Sequence, residues 1–215
     1  GAPQSIGSHH FIHRGPDKMG FFMETPPLQP MLASGGSSLL GQAQYDLMKR
    51  LPYMGALISL GVDGFLPGDD GGTVSLRGDG RVRLDYPFRP ALQEVLKAAH
   101  VAMAKIELAA GATRIQSTHA QAAILKSETD LHLLEDASYG ALDLPVFTAH
   151  QMGGCPMGAD PAQSVVNSRL QHHDVANLFV VDGSVLPTSL GVNPSETLYA
   201  LAHLAADFVA ESAGS

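Results

Sequence analysis

This 215-residue sequence has little that would tie it to a membrane, a nucleic acid or a disulfide framework. It contains one cysteine, Cys155, so no intrachain disulfide can form, and a reducing compartment is compatible with it. Its formal net charge is −8, the wrong sign for a nucleic-acid backbone or an anionic membrane as main partner. No apolar run approaches the roughly 20 residues that span a bilayer. No basic stretch followed by an apolar one opens the chain, so no secretory signal is visible and a cytoplasmic location is expected. The chain begins with Gly rather than Met, as a processed or truncated piece does. Internal repeats are missing. The Gly/Ser stretch Ser34–Ser38 lacks the Lys-Ser/Thr of a phosphate-binding loop. Neither G-x-G-x-x-G nor G-x-S-x-G occurs, which removes the usual dinucleotide grip and the serine nucleophile elbow from this stretch of chain.

What is present suits a folded core. Hydrophobic residues make up 45% and charged residues 16% of the chain, a composition that argues against disorder. Gly20–Thr25 reads as a short strand stopped by Pro26-Pro27. A short helix is expected over Gln42–Leu51 and a strand over Ala56–Leu66. Thr73–Tyr86 is the clearest hairpin: TVSLR and RVRLDY flank Gly78-Asp79-Gly80. Val74, Leu76, Val82 and Leu84 alternate with polar residues, which predicts one buried and one wet face. Pro90–Ala110 is a helix. Proline sits in its first turn, Leu92, Val95, Leu96, Ala99, Met103 and Ile106 recur at helical spacing, and Gly111 stops it. His100 beside that stripe reads as a packed histidine. Ala112–Thr118 is expected as a strand and Glu128–Ala137 as a short, solvated helix.

The functional information lies in Phe147–Ser212. Leu144–Ala149 is expected as a strand leading into His150 of HQMGGCPMG, and Ser164–Leu170 as another. NLFVVD, Asn177–Asp182, is nearly continuously apolar and predicts a strand covered on both faces. The last helix is expected from Pro194 to Glu211. A neutral imidazole takes up a proton near pH 7, so His150 at a strand end beside Gly153, Gly154 and Gly158 is a candidate base; a hydrogen-bonded strand-end histidine is the plainer alternative. Asn193, followed by Pro194 and by Glu196, matches an N-cap with proline in the first turn and a capping-box acid. Other groupings are weaker. His9, His10 and His13 form HHxxH, more simply a loop than a metal site. His150, Cys155, His172 and His173 match no strong zinc spacing. Asp182 and Ser184 could join His150 in a Ser-His-Asp arrangement only without a nucleophile elbow.

The spacing H-x2-GG-x-x-MG, then SVVNSRL, then NLFVVDGSVLPTSLGVNPSET, resembles the C-terminal part of the glucose–methanol–choline (GMC) oxidoreductases, which are flavoenzymes that oxidise alcohols. The resemblance runs from His150 to about Asp207. It implies that His150 accepts the hydroxyl proton of an alcohol while hydride passes to flavin N5, and that Asn193 hydrogen-bonds the same oxygen, in the Asn-Pro form found in cholesterol oxidase and choline-type members. It implies FAD contacts at Asp182, Gly183, Asn193 and Pro194, and no metal. The missing G-x-G-x-x-G implies that an N-terminal FAD-binding segment supplies the cofactor's main grip, so FAD is expected in the complete protein and this chain alone is expected to be colourless and inactive. The fold expected is α+β. A mixed or antiparallel sheet with helices on one face over 1–148 forms a substrate domain, and a C-terminal strand and helix over 149–215 complete an FAD-binding domain. The alternative function is a non-catalytic structural or binding module of the same fold without flavin.

Overall fold

The computed structural model describes residues 6–64, 66–69 and 71–214. The chain divides into two units, one made from the segment up to Gly61 with Tyr86–Val146, the other from Val62–Asp85 with Phe147 onward. Both combine helices with small antiparallel ladders, an α+β composition. No helix among the described residues is long and apolar enough to cross a membrane.

The first unit contains β1 (Gly7–Ser8), β2 (Gly20–Glu24) and all but the last residue of β3 (Ile58–Val62), in sheet order β1-β2-β3. Every residue of β2 is buried, because α3 (Pro90–Ala109) packs against it and Phe11 stacks on Phe21. The short helices α1 (Pro30–Gly35) and α2 (Gly41–Met48) lie between β2 and β3 in the chain, and α1 ends in the Gly/Ser stretch. Proline opens α3, and Val95 and Ala99, one turn apart, form its most buried stripe. Farther along, Ala104 rather than Met103 or Ile106 faces the core, where it meets Leu125, Leu131 and Leu134. Leu125 belongs to the two-residue ladder of β6 (Ile115–Gln116) with β7 (Ile124–Leu125), a shorter strand than 112–118 suggested. The acidic segment that follows is one 3-10 turn, Glu128–Asp130, closed by a capping box from Ser127 to Asp130, and then α4 (His132–Glu135).

The second unit corrects several expectations. The hairpin β4 (Thr73–Leu76) and β5 (Val82–Asp85) forms with Val74 opposite Leu84 and Leu76 opposite Val82. Its apolar face is nevertheless open: Val74, Leu76, Val82 and Leu84 are 72%, 74%, 58% and 74% exposed. Alternation sets the register of a hairpin, but burial needs a second layer, and among the described residues none covers this face. Leu144–Ala149 forms no strand, and Val146 and Phe147 are exposed. Ser164–Leu170 contributes a single bridging residue, Val166, which pairs with Met157 and His172. Leu170 then turns the chain with φ near 60°. Asn177–Asp182 likewise pairs only at Phe179, with Gln171, and Asn177 has φ near 60°, which asparagine tolerates better than most residues. These segments are pinned instead by a core of Val166, Leu170, Val185 and Ala205. Ala205 is the buried residue of α5 (Ser195–Ala213).

Polar burial in the first unit has a pH consequence. The rings of His100, His119 and Tyr139 meet with centroids 4.8–5.4 Å apart. His100 Nδ1 donates to the Leu96 carbonyl at 2.8 Å, and His119 Nδ1 lies 3.0 Å from Ser117 Oγ. Burial holds both imidazoles below their ordinary range. His119 further disfavours a charge on His100, while the nearby Asp143 carboxylate opposes the effect of burial at His119. Unfolding returns both towards 6.5, so below that pH the unfolded chain binds more protons than the folded one. Their contribution to stability is complete above this value and is lost as pH falls through it towards the lowered folded values, with a limiting slope of about 1.4 kcal/mol per pH unit for each histidine. Denaturant midpoints should fall from pH 7.5 to 5 in the wild type and fall less steeply in His100→Phe. Equal slopes for the two proteins would show that the pair does not titrate on unfolding.

Candidate active site

The segment that carries His150 is fastened on both sides. Ahead of it, the Gln151 side-chain amide donates to the Thr148 carbonyl at 2.8 Å. Behind it, Gly153 takes φ 82°, a left-handed turn that glycine makes without strain. The chain then pairs with the Gly183–Val185 turn: Cys155 N–H donates to Ser184 O and Met157 N–H to Val185 O, both at 2.9 Å. Val185 is fully buried in the core, so these bonds tie the loop to a fixed floor. His150 itself is half-buried, and among the described residues its imidazole makes no hydrogen bond. The plainer alternative, a histidine occupied by a strand-end hydrogen bond, therefore loses its support.

Asp182 closes the turn that receives this loop. Its Oδ1 accepts the Ser184 N–H at 2.8 Å and the Ser184 hydroxyl at 2.5 Å. Those two bonds hold its carboxyl below the usual carboxylate range, with the hydroxyl bond the larger cause. A Ser-His-Asp triad needs the aspartate on the imidazole; here it is spent on the serine beside it. The metal grouping disperses too. His172 Nδ1 accepts the N–H groups of Asp174 and Val175, and His173 Nε2 lies 2.9 Å from Ser164 Oγ. Among the described residues no three His, Cys, Asp or Glu side chains cluster as metal ligands, HHxxH included. Cys155 is half-buried and free.

Helix α5 starts one residue later than the sequence suggests. Pro194 occupies its cap position with helical φ and ψ, and Asn193 lies outside it, so the three-residue spacing from Asn193 to Glu196 is out of register for a capping box. Proline has no side-chain acceptor to cap the first-turn N–H groups, and its carbonyl takes only the Leu198 N–H, at 2.9 Å. The Asn193 side-chain oxygen is buried. The helix start and the His150 loop converge on Gly183. A Cβ placed there would lie 2.7 Å from the Gln151 carbonyl oxygen and 3.7 Å from Leu198 Cδ1. The structure thus brings the neighbour of His150 and the first turn after Asn193 to one point. Sequence reading missed Thr188, whose hydroxyl is buried without a partner among the described residues and would touch a Cβ on Gly64 at 2.7 Å. No motif signals it, because the two residues meet only through the fold.

Comparison with known proteins gives the family of the chain. The family model of the GMC oxidoreductases matches residues 67–202, well over half of the chain, and the chain belongs to that family, in its C-terminal region. Its relatives are oxidases and dehydrogenases. A long-chain-alcohol oxidase of Arabidopsis thaliana is 35% identical over 193 residues, 84% of this chain and 25% of that protein. A cholesterol oxidase of Acinetobacter baumannii is 48% identical over 63 residues, 29% of this chain and 11% of its own. A 2-methyl-1,2-propanediol dehydrogenase of Mycolicibacterium austroafricanum is 53% identical over 60 residues, 28% of this chain and 11% of its own. The chain thus spans about a quarter or less of the length of these relatives.

Removing the Asp182 carboxylate should open the turn that receives the His150 loop. Asp182→Ala is expected to cost about 1 kcal/mol, the usual size of a lost cap, and Asp182→Asn much less. Denaturant unfolding of both variants checks this; equal losses would mean that the two bonds to Ser184 do not hold the turn.

Proposed function

We propose that this chain is the C-terminal part of an FAD-dependent alcohol oxidoreductase, with His150 as base and Asn193 as hydrogen-bond donor to the substrate oxygen. The observation that carries this reading is the meeting of the His150 loop and the start of α5 at Gly183, within the stretch matched by the family. As an alcohol is oxidised, its oxygen gains alkoxide character when the proton leaves. A base and a donor aimed at that oxygen lower the barrier. His150 is free to accept the proton because its ring is not engaged elsewhere among the described residues. Asn193 can present its amide NH2 to the same oxygen.

The members of this family depend on FAD, and the residues present fit one edge of such a group. The first-turn N–H groups of α5, which its cap residue leaves without a side-chain acceptor, and the Thr188 hydroxyl, buried without a partner among the described residues, are donors suited to an acceptor-rich ring. In this reading Asp182, Gly183, Asn193 and Pro194 border the cofactor. When bound, FAD takes up the hydride that leaves the alcohol carbon. An N-terminal segment carrying the dinucleotide motif supplies the rest of the grip. It would also cover apolar side chains that stand open in the second unit, among them Leu178, Val181, Tyr199 and Leu204. Residues 1–148 then serve as substrate domain and 149–215 complete the cofactor domain. A long-chain alcohol is the first substrate to offer, given the oxidase that aligns along most of the chain.

In the full-length flavoprotein, His150→Ala should lower turnover by about 10²–10⁴-fold, the range of a general-base contribution. Asn193→Ala should lower it by about 10²–10³-fold, the range for one donor to a developing oxyanion. Flavin absorbance should stay near that of the wild type in both. Turnover that survives His150→Ala would remove this residue from the chemistry. A non-catalytic module would show no flavin absorbance in the full-length protein at all.

A further inference from the structure

Gly183 sits where a side chain is forbidden by the protein itself. A Cβ there would lie 2.7 Å from the Gln151 carbonyl oxygen, a backbone atom that cannot rotate away, and in ordinary contact with Leu198 Cδ1 at 3.7 Å. The residue is buried, and its neighbours along the turn fix the loop through the bonds Cys155 N–H to Ser184 O and Met157 N–H to Val185 O. We propose that Gly183 is a positioning residue. By carrying no side chain it lets the backbone at Gln151 close onto the turn, and so sets where His150 stands relative to the start of α5. This proposal rests on the reading of His150 as the base and gives Gly183 a task distinct from touching a cofactor.

The glycines of the loop itself grade the space. Gly154 meets only Ser184 Cβ at 3.7 Å, ordinary contact, so alanine fits there. Gly153 is tighter, with the Pro187 carbonyl oxygen at 3.3 Å from a Cβ and a φ of 82° that alanine adopts only with strain. The opposed surfaces at Gly183 are the tightest of the three. Any added methyl there must push the Gln151 carbonyl outward and carry the adjacent His150 with it. A displacement of about 1 Å at a reacting group costs on the order of 100-fold in rate.

The test is a mutant cycle in the full-length flavoprotein. Gly183→Ala should lower kcat by about 10–100-fold with KM nearly unchanged and flavin content intact, Gly153→Ala should lower it less, and Gly154→Ala should leave it within about twofold. Introduced into His150→Ala, Gly183→Ala should cause almost no further loss, because a residue acting through His150 has nothing left to position. Full additivity in that background, or loss of flavin from Gly183→Ala, would overturn the proposal and leave Gly183 only its place beside the cofactor. Should Gly183→Ala fail to fold, Gly153→Ala on His150→Ala takes its place: no further loss supports positioning through His150, and full additivity overturns it. If His150→Ala itself retains turnover, the base reading fails. If it loses turnover while Gly183→Ala does not, only the positioning role fails.

Discussion

The close approach of the Gln151 carbonyl to Gly183 is the constraint on which the second unit depends. Around it, two backbone hydrogen bonds join residues 155–157 to 184–185, and Val185 drops into a core with Val166, Leu170 and Ala205. That core couples three segments without a regular sheet: the loop after His150, the turn closed by Asp182, and α5. Isolated bridges at Val166 and Phe179 take the place of long ladders. A unit built this way depends on a few backbone contacts, so single methyl groups at its glycines carry more weight than substitutions on its open surfaces.

The same economy explains the apolar surfaces. The hairpin β4–β5 has the register its alternating sequence dictates, yet its aliphatic face is exposed. Helix α5 is apolar on more than one side, but Ala205 is its buried residue. Hydrophobic pattern records what a segment is adapted to meet, and the chain spans only a fraction of its relatives' length. In the first unit, β2, α3 and the paired cores along α3 find partners within the chain, and there pattern and burial agree.

How much was legible in the sequence follows from which interactions were local. The hairpin turn at Gly78–Gly80, the proline start and glycine stop of α3, and the helix over α2 are set by neighbours a few residues apart. The GMC resemblance was legible because its residues occur in a fixed order from His150 to Asn193. The strands expected at Leu144–Ala149, Ser164–Leu170 and Asn177–Asp182 failed because a strand needs a ladder partner, which local sequence does not provide. The capping box expected at Asn193 failed by one residue, with Pro194 in the cap position. The buried ring cluster of His100, His119 and Tyr139 was unreadable, since its members lie on three separate segments and share no spacing.

The most direct test of the account is the rate at which an alcohol reduces the bound flavin in the full-length flavoprotein, measured without oxygen in the wild type and in His150→Gln. If His150 receives the hydroxyl proton, His150→Gln should still bind flavin and should reduce it on the order of 10²–10⁴-fold more slowly. Flavin reduction at the wild-type rate in His150→Gln would contradict the assignment of His150 as the base.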